Sequence, residues 1–243
     1  MHDLTERQIQ ILKALIEEYI NTAEAVGSET LEKKHNLSAS PATIRNEMVR
    51  LSELGYLKKP HTSAGRVPTS LGMKFYVRQL MKEKDLSVAE EVALKEKVWD
   101  YRERENQFLK EITKSLAEKT GELAIVITHT GDTYAAGYAN ILNKPEFYDI
   151  NYTRELLAAL EKIEIIETIM AQLEGEEDTY VLLGEELGPI LSGPYGCVFA
   201  KYQTPMHLCG EIGILGPTRL NYTSIVPIVR YFGDLIEQSA KGW

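Results

Sequence analysis

Residues 40–68 constrain this chain more than any other stretch. Ser40-Pro41 opens a helix in two ways. The serine hydroxyl can cap an early amide, and proline at the first helical position loses no hydrogen bond. Ile44, Met48 and Leu51 follow at i, i+4 and i+7, and Gly55 is suited to the C′ position that ends the helix. A short strand, Tyr56 to Pro60, leads into a loop from His61 to Arg66 containing Ser63-Ala64-Gly65. Val67-Pro68 then returns, and its proline confines it to an edge because it cannot donate to a ladder.

Two further helix starts precede this stretch. Thr5-Glu6-Arg7-Gln8 reads as a capping box, followed by a stripe of Ile9, Leu12, Ile16, Tyr19 and Ile20. Gly27-Ser28 opens a short helix that runs through Leu31 to about Lys34. Three helices followed by a basic two-stranded loop is the order of a winged helix-turn-helix, and a helix from Thr69 to about Lys82 closes it.

Charge divides along the same line. Residues 1–84 hold 13 Lys/Arg against 10 Asp/Glu, whereas the remainder holds 14 against 26. That asymmetry suits one module that meets phosphate and another that does not. The two cysteines, Cys197 and Cys209, form no C-x-x-C pair, which argues against a zinc ribbon or disulfide scaffold and fits a reducing cytoplasm. Neither a signal peptide nor an apolar run long enough for a membrane span is evident, so a soluble cytoplasmic protein is expected.

Beyond residue 84, Ser87-Val88-Ala89-Glu90 is another capping box, and no proline interrupts the chain before Gly121. Val88, Val92, Val98, Phe108, Ile112 and Leu116 predict one long charged helix, acting as a domain connector or a dimer-forming element. The remainder reads as α+β. Strands are expected at Leu123–Thr128, Tyr134–Tyr138 and Tyr180–Leu183, with a helix from Arg154 to Leu173. Cys197 to Gln203 and His207 to Leu215 suggest a hairpin that would bring the two cysteines close, and a last helix spans Ser224 to Gln238.

If Ile44, Met48 and Leu51 point inward, helical geometry turns Ala42, Thr43, Arg45, Asn46, Val49 and Arg50 outward. Arg45 can bond guanine O6 and N7 in bidentate fashion, Asn46 can bond adenine N6 and N7, and Thr43 or Val49 can meet a thymine methyl. Lys58, Lys59, His61, Thr62, Ser63 and Arg66 surround the expected wing, where hydroxyls and cations suit phosphate and Arg66 suits a minor groove.

Two blocks resemble the HrcA family of heat-inducible repressors. The first comprises Val26-Gly27-Ser28-Glu29-Thr30-Leu31, Ser40 through Met48 with its ATIRN string, and Pro60 through Thr69 with PHTSAGRVPT. The second comprises Leu142 through Phe147, Gly184-Glu185-Glu186, Pro194-Tyr195-Gly196 and Gly210 through Tyr222. The first block adds Ser28, Thr30 and Ser40 to the residues expected at DNA. The resemblance implies a repressor of chaperone genes that binds an inverted-repeat operator as a homodimer and is released on heat stress. It also implies dependence on the GroEL chaperonin and a GAF-like C-terminal fold. The expected layout is therefore a winged helix-turn-helix over 1–84, a connecting helix over 85–120 and a GAF-like α+β domain over 121–243. Between Gly121 and Pro145 there is room for only two or three strands, so the family's inserted dimerisation domain is expected to be missing or vestigial.

Rival classes fare worse. Gly210, Gly213 and Gly216 lack dinucleotide-fingerprint spacing, the five histidines show no metal-ligand spacing, and no nucleophile–base constellation is visible. No enzyme, cofactor or metal is expected, and the cysteines are expected to be inert rather than a redox pair. A small-molecule-responsive regulator is the alternative, with a ligand held among Tyr134, Tyr195, Arg219 and Tyr222. A non-specific nucleoid or RNA-binding protein is disfavoured by the acidic C-terminal half.

Overall fold

Thr5 begins helix α1 (Glu6–Thr22) with a complete capping box: its hydroxyl accepts from the Gln8 amide, and the Gln8 side chain accepts from the Thr5 amide. The computed structural model describes residues 4–35, 37–61, 64–99, 105–162, 168, 179–188, 191, 193–204 and 209–239. Two compact units emerge, Met1–Lys82 and Glu83–Trp243.

In the first unit, α1 is followed by α2 (Ser28–Lys34) and α3 (Pro41–Glu53). The face that α1 buries is wider than the expected stripe. Ile11, Leu12, Leu15 and Ile16 are buried, while Ile9, Tyr19 and Ile20 are only half-buried. The cause is that α1 packs against both α3 and the chain after the wing. Strands β1 (Leu57–Lys58) and β2 (Val67–Pro68) pair antiparallel, with Leu57 opposite Pro68. Helix α4 (Ser70–Phe75), capped by Thr69, widens into a π turn over Tyr76–Leu80. It stops short of Lys82 because Met81 is already extended.

The second unit corrects the expectation of one long helix. Helix α5 (Val88–Trp99) and helix α6 (Glu105–Thr120) fold onto one another. Lys119 Nζ lies 2.6 Å from Glu90, and Lys97 pairs with Glu118. Along a continuous helix Glu90 and Lys119 would be roughly 40 Å apart. Nor is the pair a connector, since both helices belong to the second unit. Burial drives the fold-back: Val98, Phe108, Ile112 and Leu116 are buried, whereas Val88 and Val92 remain exposed.

Strands β3 (Leu123–Thr128), β4 (Thr133–Ala136), β5 (Thr179–Leu183), β6 (Tyr195–Gln203) and β7 (Cys209–Pro217) form one antiparallel sheet in the order β4-β3-β7-β6-β5. Both faces are buried. Leu123, Ile125, Cys197, Phe199 and Leu215 join a core with Ile141, Phe147 and Leu156 from α7 (Tyr138–Ile141), the 3-10 turn Pro145–Tyr148 and α8 (Ile150–Leu160). Alternation puts Ala124, Val126, Val198, Ile212 and Ile214 on the reverse face, which α6 and the last helix, α9 (Tyr222–Ser239), cover.

Helix α9 contains Pro227, which cannot donate to the Thr223 carbonyl one turn back. The Lys84 amide donates to that carbonyl instead, at 2.9 Å. Asp149 caps α8, so it starts four residues before Arg154, and it ends at Leu160 rather than continuing to Leu173, since Glu161 is its C-cap and Lys162 is not helical; most of 163–173 lies outside the described residues. The hairpin register separates the two cysteines: Cys197 lies opposite Leu215, and Cys209 opposite Gln203. They are not neighbours: a Cys197–Cys209 pair would need a turn centred on Gln203, but Gln203 is still in β6, and the two cysteines sit six residues apart along the ladder. All three glycines of the 210–216 run lie inside β7, so they open no helix. Between Gly121 and Pro145 there are two strands and one short helix.

Candidate nucleic-acid interface

Helix α3 is built to present one face to solvent. Ser40 accepts from the Thr43 amide at 3.3 Å, and its hydroxyl lies 3.0 Å from that of Thr43. Ile44, Met48 and Leu51 are buried, which leaves Ala42, Arg45, Asn46 and Val49 exposed along one stripe. Thr43 is half-buried and engaged with the cap, so it belongs to the edge of that face. Gly55, at φ +83°, ends the helical segment and turns the chain into β1.

Sequence reasoning missed Glu47. Its side chain lies on the inner flank of α3 with only 8% of the residue exposed. It accepts from Gln8 Nε2 at 3.0 Å, which ties α3 to the start of α1. Its other oxygen accepts from Arg50 at 3.2 Å, so Arg50 is exposed but tethered. The available signal was the i, i+3 spacing of Glu47 and Arg50; nothing local marks a glutamate as buried.

The wing base is pinned to the segment before α2. Val26 and Arg66 exchange both backbone hydrogen bonds at 2.9 Å. A Cβ on Gly65 would lie 2.3 Å from the Val26 carbonyl oxygen, so this approach needs glycine. Arg66 also donates from Nε to Ser52 Oγ at 3.0 Å, and Ser52 donates to the Met48 carbonyl. Arg66 is thereby held against the end of α3.

Arg45, Lys59 and Arg66, with Ser28 and Val49, line a cleft of about 390 Å³ between the start of α2, the outer face of α3 and the wing base. Ser28 is buried in its wall and Thr30 is half-buried, so both are recessed relative to Arg45 and Asn46. Lys58, Lys59 and His61 are exposed, and Ser40 is exposed at the helix start. Thr62 and Ser63 lie outside the described residues.

The residues proposed for a small ligand are engaged within the second unit. Tyr134 donates to Asn106, Tyr195 to the Tyr152 carbonyl and to Glu155, and Tyr222 to the Thr218 carbonyl. Arg219 makes a two-pronged contact with Glu146. Nearby, Lys144 pairs with Glu122, whose carboxyl burial pushes above the usual range despite that partner. This charge network fastens the segment after β4 to the sheet rather than opening a site.

Comparison with known proteins bears on the same two regions. Residues 3–82 match the family described as winged helix-turn-helix transcription repressor, HrcA DNA-binding. Residues 72–226 match the HrcA protein C terminal domain. The heat-inducible transcription repressor HrcA of Acetivibrio thermocellus is 27% identical over 339 residues, covering 98% of this chain and 97% of that protein. That of Clostridioides difficile is 28% identical over 337 residues, covering 97% and 99%. Those spans exceed the 243 residues of this chain, so the alignments open long gaps in it. A crystal structure titled as a hypothetical protein shares the fold, with a TM-score of 0.77 at 18% identity over 98% of this chain and 99% of that one.

Proposed function

The chain belongs to the HrcA family of heat-inducible transcription repressors, and from that premise we propose that it binds an inverted-repeat operator of chaperone genes as a cytoplasmic homodimer. The observation that carries the reading is the exposed stripe of α3, with Arg45, Asn46 and Val49 beside a cleft walled by Lys59 and Arg66. Arg45 and Asn46 read base edges in the major groove, and Val49 meets a thymine methyl. Lys58, Lys59, His61, Ser40 and the wing hydroxyls Thr62 and Ser63 hold phosphate, while Arg50 and Arg66 add tethered positive charge. Ser28 and Thr30 line the approach to this face.

The second unit is the regulatory half, with a GAF-like fold. Its single antiparallel sheet, covered by helices on both faces, supports that reading. Heat release follows from loss of the folded, DNA-competent state, and GroEL is the partner that the family resemblance implies.

Fluorescence anisotropy of the full chain against the inverted repeat and a scrambled duplex, across a salt series, tests the proposal. A preference of roughly 10³ or more for the repeat is expected of a specific repressor. Equal, steeply salt-dependent binding to both duplexes would reduce the protein to a generic DNA-binding module.

A further inference from the structure

The outer face of α5 carries a short pattern that is complementary to itself. Its inner face, with Val98 buried and Leu94 half-buried, packs within the second unit, and the Glu91 carbonyl accepts from Tyr231. The opposite face exposes Val88 at 76%, Val92 at 49% and Trp99 at 39%. Val92, Lys95, Glu96 and Trp99 line a shallow apolar groove of about 450 Å³ there. The Lys95 ammonium sits 5.0 Å from the centre of the Trp99 ring, which holds the indole in place along the helix.

We infer that this face of α5 is the contact between two copies of the chain, which pair antiparallel about a two-fold axis crossing between Lys95 and Glu96. The inference rests on the homodimer reading above and supplies its surface. In an antiparallel helix pair with that axis, Val92 meets the partner's Trp99, and Trp99 meets the partner's Val92. Lys95 meets the partner's Glu96, and Glu96 meets the partner's Lys95. The two-fold operation therefore maps apolar onto apolar and cation onto anion, which is what an isologous contact requires. A parallel pairing would set Lys95 on Lys95 and Glu96 on Glu96, and like-charge repulsion disfavours it. A second copy presents a surface complementary at all four positions.

Val92 and Trp99, the two apolar side chains per copy that meet across this axis, bury much less than the ~1,200–2,000 Å² of a standard stable interface, so a weak, reversible dimer is expected. An inverted repeat raises the effective concentration of the second copy and closes the pair on DNA.

Sedimentation velocity of the full chain across the micromolar range tests this with four variants. Trp99→Glu should leave the protein monomeric at every concentration. Lys95→Glu and Glu96→Lys should each weaken self-association by roughly tenfold or more, since each sets like charges together. The double variant K95E/E96K restores the pairing in reversed sense and should return dimerisation to near the wild-type level. Because the double variant also lacks the Lys95–Trp99 contact, its recovery isolates the contact between copies. Circular dichroism of each variant verifies that the helices are intact. A wild type that dimerises equally with all four variants would overturn this surface and leave the homodimer reading standing. A double variant no better than the singles would overturn the antiparallel register. A wild type that is monomeric throughout would overturn the surface and the homodimer reading together.

Discussion

Replacing Glu47 by alanine probes the contact that joins the reading helix to its scaffold. The buried bond from Gln8 Nε2 has a charged acceptor and is of the class that contributes about 1.5–3 kcal/mol. The bond from Arg50 contributes much less, about 0.5 kcal/mol, because that side chain is 65% exposed and the pair is i, i+3 on a helix. Removing the carboxylate also relieves its desolvation, and the vacated Gln8 amide loses its partner. The net expectation is a loss of about 2 kcal/mol, confined to the first unit. Trp99 lies in the second unit, so its fluorescence reports on that unit and not on this loss. Urea unfolding followed in parallel by far-ultraviolet circular dichroism and tryptophan fluorescence should therefore shift in the first signal and not in the second. A double-mutant cycle with Gln8→Ala isolates the pairwise contribution and should give a coupling of about 1 kcal/mol or more. Coupling near zero, with Glu47→Ala as stable as wild type, would refute the argument that this bond fixes α3.

Arg45→Ala should cost about 1–3 kcal/mol on the operator and relax base preference, read as the ratio of specific to scrambled affinity; an unchanged ratio removes Arg45 from the bases. Lys59→Ala should instead weaken binding to every duplex and lower the salt slope by about one. Gly65→Ala forces a Cβ against the Val26 carbonyl and should cost about 2 kcal/mol in stability together with affinity for all duplexes; a wild-type melting temperature would contradict that clash. Two carboxylates should give stability opposite pH slopes. The hydrogen bond from Lys34 holds Glu18 below the usual carboxylate range, so its contribution is complete above that range and is lost as pH falls through the lowered folded value. Burial raises Glu122, so the native state holds its proton more tightly and stability declines as pH climbs from the usual range through the raised folded value. Glu18→Gln should thus melt lower than wild type near neutrality and converge with it in acid, while Glu122→Gln should lose the decline; melting curves across pH would expose either failure.

Local chemistry explains which parts of the fold were legible in the sequence. Thr5 with Gln8 satisfies orphan amides through side chains three residues away, as the Ser40 hydroxyl does for Thr43, while Pro41 has no amide to leave unsatisfied, so α1 and α3 begin where the sequence indicates. The same holds for the outward stripe of α3, because burying Ile44, Met48 and Leu51 leaves Arg45 and Asn46 no other direction. The fold-back between α5 and α6 was not legible. Asp100 through Glu103 contains neither glycine nor proline, and the deciding term is the burial of Val98 and Phe108 in the second unit. Glu47 escaped for a related reason: its partner Gln8 lies 39 positions away, in a residue already assigned to a cap. The expected closeness of the cysteines failed on register: it needs a turn centred on Gln203, and Gln203 is the last residue of β6, paired with Cys209.

The arginines of the proposed DNA face divide by how they are held, and that division separates affinity from discrimination. Arg66 is fixed by Ser52 and by its backbone pairing to Val26, and Arg50 by Glu47. A side chain already ordered in the unbound protein gives up less entropy when it meets phosphate, so under the proposed binding Arg66, and to a smaller degree the weakly held Arg50, would deliver charge without regard to sequence. Arg45 and Asn46 make no such bond among the described residues, and in the proposed complex they are the residues that would enter the major groove. They must be ordered on binding, and only a base edge with the matching acceptors and donors returns that entropy as two well-formed hydrogen bonds. A mismatched base leaves the ordering cost and removes the return. Discrimination therefore falls on the two residues the fold leaves untethered, whereas the tethered pair sets how tightly any duplex is held.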